Sequence, residues 1–192
     1  MENYKKLLSE YTKCTENVRE YVYGFGSGNK RYEGQQLTPF EELDPNKAKW
    51  LGLSEVATED LDWINDVFPN IKVLEIRTIG SLKSLKGIEK LKHLDGLVIH
   101  PKATREQPLD LRQVKLQFNE LLLWNCLFDI SNLQGNFNYA FFNKTQLFNE
   151  NKITSLSGSY LKIYNCNKED NSPIESDFEG EMNTFKFENH FK

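Results

Sequence analysis

His93, His100 and His190 are the residues to ask first about catalysis, because imidazole exchanges protons near neutral pH. No His-x-x-x-His or comparable ligand spacing links them, so they form no metal set. Gly24-Phe25-Gly26-Ser27-Gly28-Asn29-Lys30 has the glycine content of a phosphate loop. It lacks the Gly-x-x-x-x-Gly-Lys-Ser/Thr order and opens no helix, and a flexible hairpin turn is the better reading. Asp60, Asp62 and Asp66 have neither the central glycine nor the terminal glutamate of a calcium loop and read as a solvated helix face. Cys14, Cys126 and Cys166 are odd in number, carry no metal-type spacing and read as reduced thiols. No Ser/His/Asp or Cys/His set can be placed. The residues that could do chemistry therefore point to a protein that is not an enzyme and uses no cofactor or metal. An enzymatic alternative would have to assemble a site around His100 and Glu75.

The elements that would position such residues follow a repeat. Leu121-Leu122-Leu123-Trp124-Asn125-Cys126 returns as Leu161-Lys162-Ile163-Tyr164-Asn165-Cys166. Weaker copies with apolar residues two apart stand at Leu51/Leu53, Leu74/Ile76, Leu97/Ile99, Tyr139/Phe141 and Phe185/Phe187. The first residues of the seven copies are separated by 23, 23, 24, 18, 22 and 24 positions, the period of a stacked solenoid. An apolar residue precedes three of the copies by three positions, as Ile71, Leu94 and Phe118, whereas Asn136, Gly158 and Met182 depart from or weaken that pattern. Lys102, Lys144 and His190 stand where the two best copies have cysteine. Two such units, each rising by ~4.8 Å, would hold Cys126 and Cys166 about 10 Å apart, beyond disulfide reach.

The pattern Phe118-x-x-Leu121-x-Leu123-x-x-Cys126-x-Phe128 resembles the leucine-rich repeat, a short strand followed by a buried Asn or Cys at a turn. The resemblance covers the last three quarters of the chain. It implies an α/β fold: an irregular leucine-rich-repeat solenoid with one parallel β-sheet, a helical or loop convex side and an N-terminal α+β cap.

Residues 1–45 are assigned to that cap and 46–192 to the solenoid, as one folding unit. Tyr4, Leu7, Leu8 and Tyr11 lie at helical spacing, and 18–25 with 31–37 read as a hairpin. Thr58 to Phe68 has a Thr cap, early carboxylates and an apolar face at Leu61, Ile64, Val67 and Phe68, the strongest helix signal in the chain. Leu82, Leu85, Ile88 and Leu91 suggest a helical or 3₁₀ back for the next unit. The stretches 129–138, 144–160 and 167–184 are rich in Asn, Ser, Gly and charge and read as loop. Pro101 to Pro108 is a loop from which Leu109, Leu111, Val114 and Leu116 return to the core. Lys83, Lys86, Lys90 and Lys92 read as a solvated basic face. Of 192 residues, 39% are hydrophobic and the net charge is −4, which suits a core of domain size and argues against general nucleic-acid binding. No stretch has signal-peptide or membrane-helix character, so a cytoplasmic location without membrane contact is expected.

Alternate residues of a strand face opposite ways. With the paired apolar residues in the core, Ser54, Arg77, His100, Trp124, Phe142, Tyr164 and Glu188 form one outward ladder. Gly52, Glu75, Val98, Leu122, Ala140, Lys162 and Lys186 form its neighbour. An aromatic centre with a charged rim is how protein interfaces are built. The expected partner-binding residues are therefore Glu75, Arg77, His100, Leu122, Trp124, Phe142, Lys162, Tyr164 and Glu188. The other reading of these aromatics is cross-strand stabilisation, or cover by the N-terminal segment. Asn125, Asn143, Asn165 and Asn189 read as strand-ending turn residues. From Glu169 to Glu181 six acids stand without Lys or Arg, which suits either a soluble loop or steering of a basic partner.

In overall character the chain is similar to the leucine-rich-repeat immunity proteins that bacteria pair with contact-dependent growth inhibition toxins. That similarity implies a monomer that binds the C-terminal domain of a cognate toxin, a basic nuclease such as an EndoU-like ribonuclease, and blocks its substrate groove. A generic cytoplasmic interaction module is the alternative.

Overall fold

A computed structural model of the chain describes residues 18–19, 44–53, 58–77, 81–100, 104, 107–174 and 177–181. The expected helix at 4–11, the 185/187 repeat, Ser54 and Glu188 lie outside the described residues, as does all of the expected hairpin except its first two positions. The described residues form mixed α/β structure with a mostly parallel sheet and few helices. The main sheet has eight strands: β1 (Val18–Arg19), β2 (Trp50–Leu53), β3 (Val73–Ile76), β4 (Gly96–Ile99), β6 (Glu120–Trp124), β8 (Asn136–Asn143), β10 (Ser157–Tyr164) and β11 (Phe178–Glu181), side by side in that order. The six strands from β2 to β10 run parallel, and β1 and β11 close the two edges antiparallel.

Strand register puts Leu51, Leu74, Leu97, Leu121, Ala140 and Leu161 in one row, and Leu53, Ile76, Ile99, Leu123, Phe142 and Ile163 in the next. All twelve are buried. The expected pair Tyr139/Phe141 is thus displaced by one residue. A shift of one flips every side chain, and the core pair on β8 is Ala140/Phe142, with Tyr139 and Phe141 on the outward face. In this register the leading apolar position is filled in every described unit but one, by Ala48, Ile71, Leu94, Phe118 and Phe137. Gly158 is the exception, and its register partner explains it. A Cβ there would lie 2.3 Å from the ring of Phe137, which occupies the space.

Behind the main sheet the chain does not become loop. β5 (Leu109–Asp110), β7 (Cys126–Asp129) and β9 (Gln146–Phe148) form a second, three-stranded parallel sheet. The expectation of one sheet and a loop back is corrected here: short strands of two to four residues bury Leu109, Cys126, Phe128 and Leu147 and leave their polar residues outside, and alternation that brief is drowned by neighbouring Asn and Ser. One turn of 3₁₀ helix at Ile130–Asn132 and two turns at Glu150–Ser155 follow.

The helix expected from Thr58 to Phe68 is also shorter, four residues at α1 (Ile64–Val67). Its upstream backbone is engaged by the adjacent back: Lys83 N donates to Glu59 O (2.9 Å) and Leu61 N donates to Lys86 O (2.8 Å). Groups spent across the layer cannot make i→i−4 bonds, and tertiary pairing overrides propensity. Thr58 caps nothing. Its hydroxyl donates to Asp60 O (2.7 Å) and accepts from Trp63 Nε1 (3.1 Å). The close approach needs Gly87, whose φ is +99° and where a Cβ would stand 2.5 Å from Asp62 N. The expected back at 82–91 holds, with a 3₁₀ turn at Ile88–Lys90 and Leu82, Leu85, Ile88 and Leu91 buried. Its four lysines are exposed, as expected of a solvated face, and three of them are ion-paired: Lys86 (2.8 Å) and Lys90 (2.9 Å) both meet Asp62, and Lys83 meets Glu59.

Candidate functional site

β6, β8 and β10 each end in a turn that fixes which side chains crown the outward face. After Trp124 and Tyr164, Asn125 (φ 51°) and Asn165 (φ 50°) adopt the left-handed conformation that Asn tolerates. On β8 that conformation falls to Lys144 (φ 50°), so Asn143 is the last strand residue and not the turn residue expected of it. One step further, Cys126, Thr145 and Cys166 are buried, and Thr104 joins them from the preceding unit. They bond to strand-end carbonyls. Thr104 Oγ1 donates to Trp124 O (2.6 Å), and the Cys166 thiol lies 3.4 Å from Phe142 O. Thr145, not Lys144, is thus the counterpart of the cysteines. Both described cysteines are free thiols. Burial pushes the Cys166 thiol up to about 11 and raises Cys126 further, which makes both poor nucleophiles.

Register places three outward rows on this scaffold. The first is Trp50, Val73, Gly96, Glu120, Tyr139 and Tyr160; the second is Gly52, Glu75, Val98, Leu122, Phe141 and Lys162. The third, at the strand ends, holds Trp124, Asn143 and Tyr164, with Arg77 and His100 following β3 and β4. On β2, β3 and β4 this face is covered. Trp50, Gly52, Val73, Glu75, Gly96 and Val98 are buried, and Arg77 and His100 are half-buried. Glu75, 8% exposed, accepts from Trp50 Nε1 (3.2 Å) and pairs with Arg77 (Nε to Oε1, 3.0 Å). A carboxylate so engaged ties three outward positions together.

On β6, β8 and β10 the same face is open. Leu122, Trp124, Tyr139, Phe141, Tyr160 and Lys162 are half-buried and Tyr164 is 43% exposed. Of the nine expected contact residues, Leu122, Trp124, Lys162 and Tyr164 come together here. Glu75, Arg77 and His100 sit on the covered half, Glu188 lies outside the described residues, and Phe142, fully buried, belongs to the core. In its place stand Phe141 and the two tyrosines, which sequence reasoning missed. The signal was present: Phe137 three before Ala140 and Thr145 five after it repeat the spacing of Phe118 and Cys126 around Leu121.

The open face is internally ordered. Tyr139 and Tyr160 stack at 5.6 Å, Trp124 meets Phe141 edge-on at 6.3 Å, and Lys162 Nζ lies 5.3 Å from the Phe141 ring centre. β11 borders it. Opposite Tyr160 and Lys162 this strand sets Glu181 and Glu179, and Glu179 accepts from Tyr160 Oη (3.0 Å) and Lys162 Nζ (2.7 Å). Part of the acidic stretch expected to be loop is therefore an edge strand. The Lys162 ammonium and then the Tyr160 hydroxyl hold Glu179 below the usual carboxylate range. Burial, with the nearby Glu179 charge, pushes the Tyr139 phenol up to about 12. Asp177 accepts from Asn165 N (2.7 Å), one residue past Tyr164.

Such a surface can stack, bury apolar area and attract cations. Among the described residues no three His, Cys, Asp or Glu side chains are grouped to hold a metal ion, and no helix is long and apolar enough to cross a membrane. Neither a protein-family model, nor a curated protein, nor a solved structure matches this chain.

Proposed function

We propose that the chain is an irregular leucine-rich-repeat-like solenoid that binds a protein through the outward face of β6, β8 and β10, and that it acts as an immunity protein. Its partner on this reading is the basic C-terminal nuclease domain of a cognate toxin, whose substrate groove it covers. The observation that carries the reading is the half-exposed aromatic surface of Trp124, Tyr139, Phe141, Tyr160 and Tyr164 beside exposed acids on β11. Contiguous apolar patches with aromatic anchors mark interaction sites, and a charged rim sets on-rate and partner choice. Of the three expected polar contributors on the covered half, Glu75 and Arg77 are paired with each other and Glu75 also accepts from Trp50, which supports a structural role for those two.

The test is to express the C-terminal domain of the protein encoded immediately upstream and to measure its binding by calorimetry and the protection of a nucleic-acid substrate from it. Trp124→Ala/Tyr164→Ala is expected to weaken the complex roughly 1000-fold, two anchors at ~2 kcal/mol each, with an unchanged circular dichroism spectrum. Undiminished affinity in the double variant would move the interface off this face.

A further inference from the structure

We propose that Asn143 is the receiving point for an arginine side chain of the partner, its carboxamide oxygen accepting from a guanidinium that lies between the rings of Trp124 and Tyr164. The inference rests on the protein-binding reading of this face and names the group recognised there.

Asn143 is 4% exposed, and its Oδ1 is buried without a hydrogen bond. The other two buried side-chain atoms in that position, Asp62 Oδ1 and Arg77 Nε, have ion-pair partners at 2.9 and 3.0 Å. Asn143 Oδ1 is therefore, among the described residues, the one buried side-chain polar atom with neither. Native folds pair nearly all such groups, because desolvating one without a partner is costly. An unpaired amide is tolerated where something else completes it.

Its position says what. Asn143 follows the core residue Phe142 and so leaves the strand on the outward face, with Trp124 and Tyr164 as register partners on either side. Strands ~4.8 Å apart put the two aromatic residues about 10 Å from each other across it, room for one flat group once the rings part. Charge selects that group. Asp177 is anchored one residue past Tyr164, and Glu179 and Glu181 follow on the adjacent strand. Of the nearby cations, Lys162 is held by Glu179, and Lys144 is exposed at the turn. An orphan acceptor, two rings and an acidic edge fit a planar cation that has only donors, which is the guanidinium.

The labelled full-length protein would be titrated by NMR with N-acetyl-arginine methylamide, and separately with the corresponding lysine and citrulline compounds. The Asn143 side-chain amide and Trp124 indole signals should shift saturably with arginine, with lysine and citrulline binding roughly tenfold more weakly. Asn143→Asp should tighten the arginine response. Asn143→Leu should abolish it while raising Tm, since an unpaired buried amide gives way to an apolar side chain of similar size. Equal response to lysine, a response that survives in Asn143→Leu, or a fall in Tm in that variant would overturn the proposal. A probe response with no toxin-domain complex would sink the partner reading and leave the notch, whereas a complex with no probe response would sink the notch alone.

Discussion

Strands β2, β3 and β4 bury every residue they contain, whereas β6 buries alternate residues and β8 and β10 leave most of their outward face half-exposed. The backbone arrangement is the same, parallel and in register throughout. What differs is the outward side chain. The first group carries Gly52, Val73, Gly96 and Val98 together with Trp50 and Glu75, which are hydrogen-bonded to each other, and all six are buried. The second carries Leu122, Trp124, Tyr139, Phe141, Tyr160 and Tyr164. One sheet thus serves stability on both faces at one end and on a single face at the other, and only the second end has surface left for a partner.

The largest effect that would break this contrast comes from a matched pair on neighbouring strands, Val98 and Leu122, which are register partners. Val98→Asp buries a carboxylate where the residue is 5% exposed and should cost ~3 kcal/mol or more. Leu122→Asp, half-exposed, should cost about 1 kcal/mol or less yet abolish partner binding. Urea unfolding of both variants checks the ranking, and equal losses would mean that the two halves are covered alike. A smaller loss is expected at Glu75. Glu75→Leu removes the acceptor of Trp50 Nε1 and the partner of Arg77; one of these is buried and the other half-buried, so about 2 kcal/mol is expected. Arg77→Leu made in addition should recover part of it, because it removes the charge left behind. Additive losses would show that the two side chains act separately.

How much of this was legible in the sequence depends on what each signal competes with. The parallel strands were readable wherever a large aliphatic pair marks the core, at Leu74/Ile76, Leu97/Ile99, Leu121/Leu123 and Leu161/Ile163. On β8 the core residue is Ala140 and its outward neighbours are Tyr139 and Phe141, so hydrophobicity alone chose the wrong face. Only the flanking Phe137 and Thr145 carried the register. The same slip put Phe142 among the contact residues and hid Phe141. Glu75 was rightly placed on the outward face, but its burial was not legible, because alternation along a strand sets which way a side chain points and not whether that face is covered. At Thr58–Phe68 the local helix signals were real and lost to hydrogen bonds that Glu59 O accepts from Lys83 N and Leu61 N donates to Lys86 O, which no window of sequence contains.

The finest test of the contrast uses acid. Two carboxylates are held below their ordinary value: half-buried Asp62, behind the covered half, by Lys86 and Lys90, and exposed Glu179, at the edge of the open half, by Lys162 and Tyr160. With a folded pKa lower than the unfolded one, the unfolded chain takes up its proton first as pH falls. The stabilisation is therefore complete above the unfolded value near ~4 and is lost as pH drops through the depressed folded value. Glu179→Gln should remove its share of that acid limb, a few tenths of a kcal/mol to ~1 for a surface pair, and Asp62→Asn should remove a separate share. Carboxyl NMR titration would then be repeated in the partner complex. A cationic partner seated beside β11 must lower the Glu179 midpoint further, since it favours the charged form, and must leave Asp62 where it was. If both midpoints stay fixed, the partner does not meet the acidic edge of the open face; if Asp62 moves instead, the covered half is the one that binds.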